Sequence, residues 1–220
     1  MELIRGSTLR SELERVGSLD CPTAAVWFKQ LLEGVQAAHQ AGIIHRDLKP
    51  ENVLISRQAA GGEQIKILDF GLARISQMDQ GNSQSLTTPG TVMGTFAYMS
   101  PEQVLGEEVD ERGDTFALGV MVVEALTGSR PFLGRTSTEL IASILRSPFH
   151  LTGEAAELKH LDSVLQKCLA KDRTQRFVSV AAMQQELIPA IEHWPPFASI
   201  PGKEKRSRDD AARTLPQAWN

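Results

Sequence analysis

The sequence predicts a mainly α-helical domain that carries one small antiparallel β-ribbon, and three observations predict it. From Asp114 the run Thr-Phe-Ala-Leu-Gly-Val-Met-Val-Val-Glu-Ala-Leu is apolar on nearly every side, which a helix tolerates only when it is enclosed all round. It is the expected central helix, ended by Gly128. Phe28, Leu31, Leu32, Val35 and Ala38 recur at helical spacing, so a second helix has one apolar face seeking that core. Val53 to Ser56 and Ile65 to Leu68 are short β-rich runs on either side of Gly61-Gly62, the pattern of a hairpin.

Taken in order, Ser7 can cap a short helix through Val16 that Gly17 ends, and Pro22 suits the first turn of a helix through Gln40 with Gly42 at its exit. After the hairpin, residues 76 to 95 are rich in Ser, Thr, Gln and Gly without a period, as in a long functional loop. Beyond the central helix, amphipathic patterns predict helices near 138 to 146, 156 to 170 and 179 to 192, the last capped by Ser179. From 193 to 220 the pattern fails among prolines and charges, which predicts a disordered tail after a folded unit of residues 1 to 192.

Composition bounds the function. A chain of 220 residues buries roughly 70% of its unfolded surface in one domain. With 41% hydrophobic and 23% charged residues it is globular, and a formal charge of −4 provides no basic field for nucleic acid or an anionic membrane. The run Lys203 to Arg208 is basic but reads as a solvated tail. No apolar run is long enough to span a bilayer and the first residues lack signal-peptide order, so a cytoplasmic chain is expected. Cys21 and Cys168 lack metal-ligand spacing and read as reduced structural thiols. His39, His150, His160 and His193 likewise lack ligand spacing, and Trp27 reads as core.

The chemistry lies in two segments. His45-Arg46-Asp47-Leu48-Lys49-Pro50-Glu51-Asn52 is followed, seventeen residues after Asn52, by Asp69-Phe70-Gly71. Moving a phosphoryl group requires a carboxylate for the attacking hydroxyl, cations against phosphate charge and hard oxygen ligands to hold them. Asp47 can accept the hydroxyl proton, Lys49 can sit against the phosphate, and the Asn52 amide oxygen with the Asp69 carboxylate can hold Mg²⁺. Alone, either tripeptide is usually a solvated turn or tight bend. Their order and spacing, with Gly94-Thr95, Ser100-Pro101-Glu102, Asp114 and Arg176 following, remove that reading.

On these residues the chain resembles the large lobe of the eukaryotic-like serine/threonine protein kinases of bacteria, over residues 1 to about 192. The resemblance implies a kinase C-terminal-lobe fold and transfer of the ATP γ-phosphoryl group to Ser/Thr hydroxyls of protein substrates, with ATP and Mg²⁺ required. Lys49 stands where the Ser/Thr branch has lysine, and Thr95 would bridge Asp47 and Lys49. Glu102, in Ser-Pro-Glu rather than Ala-Pro-Glu, would pair with Arg176, and Asp114 would hold the catalytic-loop backbone, although Gly113 replaces the usual serine. His45 and Phe70 are expected in structural roles. Arg46 is the type of residue that pairs an activation-loop phosphate, with Thr91, then Thr87 and Thr88, as acceptors. Glu51 hints at basic residues near the target.

The resemblance also shows what is missing. Only 44 residues precede His45, and no Gly-x-Gly-x-x-Gly or strand lysine can be placed among them. Met1, Glu2 and Leu3 resemble the hinge that would line the nucleotide, with Met1 at the gatekeeper place, and Leu54 is expected as the floor under adenine. A ligand ordinarily loses about 70–90% of its exposure in a pocket, which one face of a cleft does not achieve. Weak or absent activity of this polypeptide alone is therefore expected. So is an apolar open interface that attracts a protein partner, and a truncated gene model is favoured over a designed half-kinase. The alternative function is a catalytically inactive kinase fragment acting as a regulatory interaction module, against which stand the four retained polar residues Asp47, Lys49, Asn52 and Asp69.

Overall fold

A computed structural model describes residues 6–57, 61–69, 96–151 and 156–194. The expectations placed on Met1, Glu2, Leu3, Phe70, Thr87, Thr88, Thr91 and Thr95, on the loop 76–95 and on the tail from residue 195 lie outside the described residues.

The chain is mainly helical with a three-stranded antiparallel sheet, as expected of a kinase large lobe. Strand β1 (Ser7–Thr8) leads into α1 (Leu9–Val16) and α2 (Cys21–Gln40), and a 3-10 turn at Pro50–Asn52 precedes β2 (Val53–Arg57) and β3 (Glu63–Ile67). Then come α3 (Pro101–Leu105), α4 (Glu111–Thr127), α5 (Ser137–Arg146), α6 (Ala156–Cys168), a 3-10 turn at Arg173–Gln175 and α7 (Val180–Glu192).

Helix α4 is the axis of the molecule. All fourteen residues from Gly113 to Leu126 are buried, and α2, α6 and α7 pack around them. Asp110 caps its start by accepting from the Arg112 N–H, and Gly128 ends it at φ 71, a left-handed conformation that suits glycine. At Gly119 a Cβ would stand 2.7 Å from Cys168 Cβ, so the missing side chain is what lets α6 approach. Phe116 stacks on Phe132 with centroids 5.8 Å apart, each burial contributing about 1.5–3 kcal/mol.

The hairpin forms as the β-rich runs predict, with Val53 opposite Ile67 and Ile55 opposite Ile65 and Gly61 and Gly62 at positive φ in the bend. Two residues of β1 extend it, Ser7 opposite Ile55 and Thr8 opposite Leu54. That pairing moves the cap of α1. Ser7 is in the sheet and its hydroxyl donates to Glu12 Oε1 at 2.5 Å, while Thr8 caps α1 by accepting from the Ser11 N–H. The free edge of β3 is closed by α2, where Gln30 accepts from the Ile65 N–H at 3.1 Å and donates to the Glu63 carbonyl at 3.1 Å. Trp27 is buried as expected, and its indole N–H also donates to Glu63 Oε2 at 2.6 Å. Leu54 is 9% exposed, and a Cβ at Gly6, beside β2, would stand 2.4 Å from the Ile55 carbonyl oxygen. Cys168 is buried and Cys21 half-buried, both as free thiols, and burial pushes the pKa of each up. The described chain continues to Trp194, itself buried.

Candidate active site

The segment His45 to Asn52 joins α2 to β2, and its backbone is held by the start of α4. Asp114 is 1% exposed. Its Oδ2 accepts from the His45 N–H and its Oδ1 from the Arg46 N–H, both at 2.9 Å. His39, near the end of α2, places Nε2 2.7 Å from Asp114 Oδ2. A buried carboxylate without partners would be strongly unfavourable; this one has three. They hold Arg46 at φ 63, a left-handed conformation that costs a non-glycine residue roughly 1–2 kcal/mol.

His45 is fully buried. Its Nδ1 accepts from the Asp47 N–H at 3.3 Å, so the proton is on Nε2, which donates to the Leu68 carbonyl at 3.1 Å. The Leu68 N–H in turn donates to the Asn52 carbonyl at 2.8 Å. Two bonds at Leu68 thus dock the end of the hairpin on the loop and bring Asp69 beside it.

Asp47, Lys49 and Asn52 converge. Lys49 Nζ lies 2.8 Å from Asp47 Oδ2. Asn52 Nδ2 donates to the Asp47 carbonyl at 2.8 Å and to Asp47 Oδ2 at 3.2 Å, so the loop closes on itself through one amide. Both side chains of the ion pair are 24% exposed, partly screened from water yet open to a substrate. With the Asn52 NH₂ engaged, its amide oxygen is left as an acceptor, and Asp69 is exposed at φ 47. An amide oxygen and a carboxylate suit a hard divalent cation, so the donor set fits Mg²⁺. Among the described residues no group of three or more His, Cys, Asp and Glu is arranged to bind a metal.

Beyond this centre, Arg176 and Glu102 form a bidentate pair, Nη1 to Oε1 and Nη2 to Oε2, each at 2.7 Å. Arg176 is 2% and Glu102 4% exposed. Arg176 also donates to the carbonyls of Ala170, Arg112 and Lys171. Burial alone would raise the Glu102 pKa, but the Arg176 guanidinium more than offsets it and holds the carboxyl below its ordinary range. The residue before Asp114, Gly113 in the first turn of α4, faces Glu102 and Ser100, and a Cβ there would stand 2.7 Å from Val109 Cγ1. The serine expected at this position has no room unless Val109 moves.

A second polar cluster flanks the loop. Arg10 on α1 donates to Glu51 Oε1 at 2.9 Å, to Glu124 Oε1 at 3.0 Å and to the Tyr98 hydroxyl. Tyr98 donates to Glu124 Oε2 at 2.5 Å, and burial beside that carboxylate pushes its phenol pKa up. Glu51, expected to attract a basic target, shares Arg10 with Glu124 and keeps its side chain 46% exposed.

Sequence reasoning missed His39, Arg10, Tyr98, Glu124 and Gln103, whose Nε2 donates to the Arg46 carbonyl at 2.6 Å. The partners of His39 and Arg10 lie 75 and 114 residues away along the chain. The available signals were a charged Glu124 within an otherwise apolar helix and a histidine on the inward-facing side of α2.

A protein kinase domain model matches residues 1–188. Serine/threonine-protein kinase PknB of Mycolicibacterium smegmatis is 37% identical over 200 residues, which are 90% of this chain and 31% of that protein. PknB of Mycobacterium tuberculosis is 36% identical over the same shares. PknL of Mycobacterium tuberculosis is 35% identical over 192 residues, 85% of this chain and 45% of its own. The chain thus spans about a third of the PknB proteins.

Proposed function

We infer, because the chain belongs to the protein kinase family, that it carries the catalytic loop of an ATP-dependent serine/threonine protein kinase and that its targets are Ser/Thr hydroxyls of proteins. The observation that supports this most is the Asp47 carboxylate held between Lys49 at 2.8 Å and the Asn52 amide at 3.2 Å. Because Oδ2 takes both contacts, Oδ1 remains for the incoming hydroxyl. As the hydroxyl oxygen bonds to the γ-phosphorus and the bond to the β-phosphate oxygen breaks, releasing ADP, the proton passes to Asp47. Lys49 balances the charge on the transferred group. Asn52 and Asp69 would hold Mg²⁺, whose charge would offset that of the phosphates. Positioning and electrostatics supply most of the acceleration in such reactions.

Among the 44 residues before His45 no Gly-x-Gly-x-x-Gly and no lysine of a preceding strand can be placed, so these 220 residues taken alone are expected to be a slow catalyst. The test is transfer of labelled phosphate from ATP to a generic Ser/Thr protein substrate. It is run with the chain alone and with a kinase small lobe fused before residue 1. The expected outcome is little transfer alone, substantial transfer in the fusion, and loss of about 10²–10⁴-fold in Asp47→Asn. No transfer in a folded fusion refutes the kinase reading; full transfer by the chain alone refutes the reading of dependence.

A further inference from the structure

The catalytic loop is gripped at Arg46 from both sides of one residue. Asp114 takes its N–H. On the other side Gln103, in the short helix α3, donates Nε2 to its carbonyl at 2.6 Å. Gln103 is itself fixed, since its Oε1 accepts from the Ser100 N–H at 3.0 Å and from the Ser100 hydroxyl at 3.2 Å. The residue before it, Glu102, makes the buried pair with Arg176. One turn of helix therefore anchors on Arg176 through Glu102 and reaches the loop through Gln103. Gln103 lines the same cleft as Asp47, Lys49, Tyr98 and Met99.

A residue at φ 63 returns to the broad allowed regions unless its surroundings oppose it. Asp114 fixes the peptide entering Arg46 but not the one leaving it, and the leaving peptide carries the Asp47 N–H. Rotation of that peptide would break the Asp47 N–H contact to His45 Nδ1 and swing the Asp47 side chain away from Lys49. The Gln103 amide opposes that rotation. We propose that Gln103 is a positioning residue for Asp47, clamping the Arg46–Asp47 peptide from helix α3. This rests on the reading of Asp47 as the proton acceptor, but the clamp itself is measurable without turnover.

The variant Gln103→Glu isolates the contact. Its carboxylate still accepts from Ser100 while an oxygen replaces the donor facing the Arg46 carbonyl. Residue-resolved amide exchange by NMR is followed on the purified chain at His45, Arg46 and Asp47, which are all hydrogen-bonded. The amides of α4 serve as the global reference. The expected result is exchange faster by about tenfold at Arg46 and Asp47, with α4 unchanged. Ser100→Ala, which keeps the Arg46 contact, should leave all of them at parent values. Unchanged exchange in folded Gln103→Glu, or equal acceleration in both variants, overturns the clamp. If Gln103→Glu does not fold, Gln103→Leu removes the donor without adding charge and is read the same way. In the lobe fusion, kcat should fall while KM for ATP holds. A fusion without transfer bears on the kinase reading alone and leaves the exchange result to decide the clamp.

Discussion

The pair between Glu102 and Arg176 offers the sharpest energetic test of how the substrate-side segment is tied to the helical core. Glu102→Gln leaves the Arg176 charge buried, though three backbone carbonyls still accept from it at 2.8–3.2 Å. Arg176→Met leaves a buried carboxylate that has lost both of its strongest donors. Breaking one side of a buried pair costs about 3–5 kcal/mol. The retained carbonyls place Glu102→Gln near the lower end of that range and Arg176→Met near the upper. A loss of ~3 kcal/mol in a domain of this size lowers Tm by about 6–12 °C. Because the pair's attraction is offset by desolvation, the double variant Glu102→Leu/Arg176→Met should lose ~1–3 kcal/mol less than the sum of Glu102→Leu alone and Arg176→Met alone. Urea titration followed by circular dichroism, with the slope m compared across the cycle, measures each term. Single variants within ~1 kcal/mol of the parent and additive in combination would refute the argument.

Other outcomes follow from the same geometry. The Glu102 carboxyl has a lowered pKa in the folded chain, so its contribution is complete above its ordinary value of 4.5 and is lost as pH falls through the lower folded value. Acid titrations of stability should show a steeper decline below about pH 4.5 in the parent than in Glu102→Gln. Gly119→Ala gains up to ~1 kcal/mol of helix propensity but drives a methyl to 2.7 Å from Cys168 Cβ. Overpacking of about 1–3 kcal/mol should win, and a rise in Tm would contradict the packing. Asp114→Asn presents an NH₂ to donors and should cost about 1–3 kcal/mol, with accelerated amide exchange at His45 and Arg46; unchanged exchange there would count against its anchoring role. Arg10→Met leaves Glu124 without its cation inside the protein and should cost about 1–3 kcal/mol, while Glu51→Gln, at the exposed end of the same cluster, should change stability by less than ~1 kcal/mol. Equal losses in the two would be inconsistent with the difference in burial.

Much of the fold was legible because it is periodic. The enclosure of α4, the hairpin around Gly61-Gly62 and the Ser179 cap of α7 are all local patterns, and the structure contains them. Boundaries shifted where a long-range partner outranked a local preference. Ser7 is a good cap, but pairing with Ile55 draws it into the sheet and hands the cap to Thr8. Helix α3 is too short for a periodic signal, and it escaped notice although Ser100, Pro101 and Gln103 are all starting-turn residues. Spacing singled out Asp47, Lys49 and Asn52 because all three lie within one loop, and the structure brings them into contact. His39 and Gln103 act through single contacts to residues 75 and 57 positions away, and no local pattern encodes such a contact.

The enclosure of α4 has a consequence for how this chain can vary. A helix with one wet face can absorb changes by turning or sliding slightly toward solvent, but a post surrounded on every side has no such slack. Its first turn carries the carboxylate that holds Arg46, so any shift in the post is passed to the loop undiminished. Accommodation must instead come from the outer helices, which makes α2, α6 and α7 the places where compensating substitutions should accumulate.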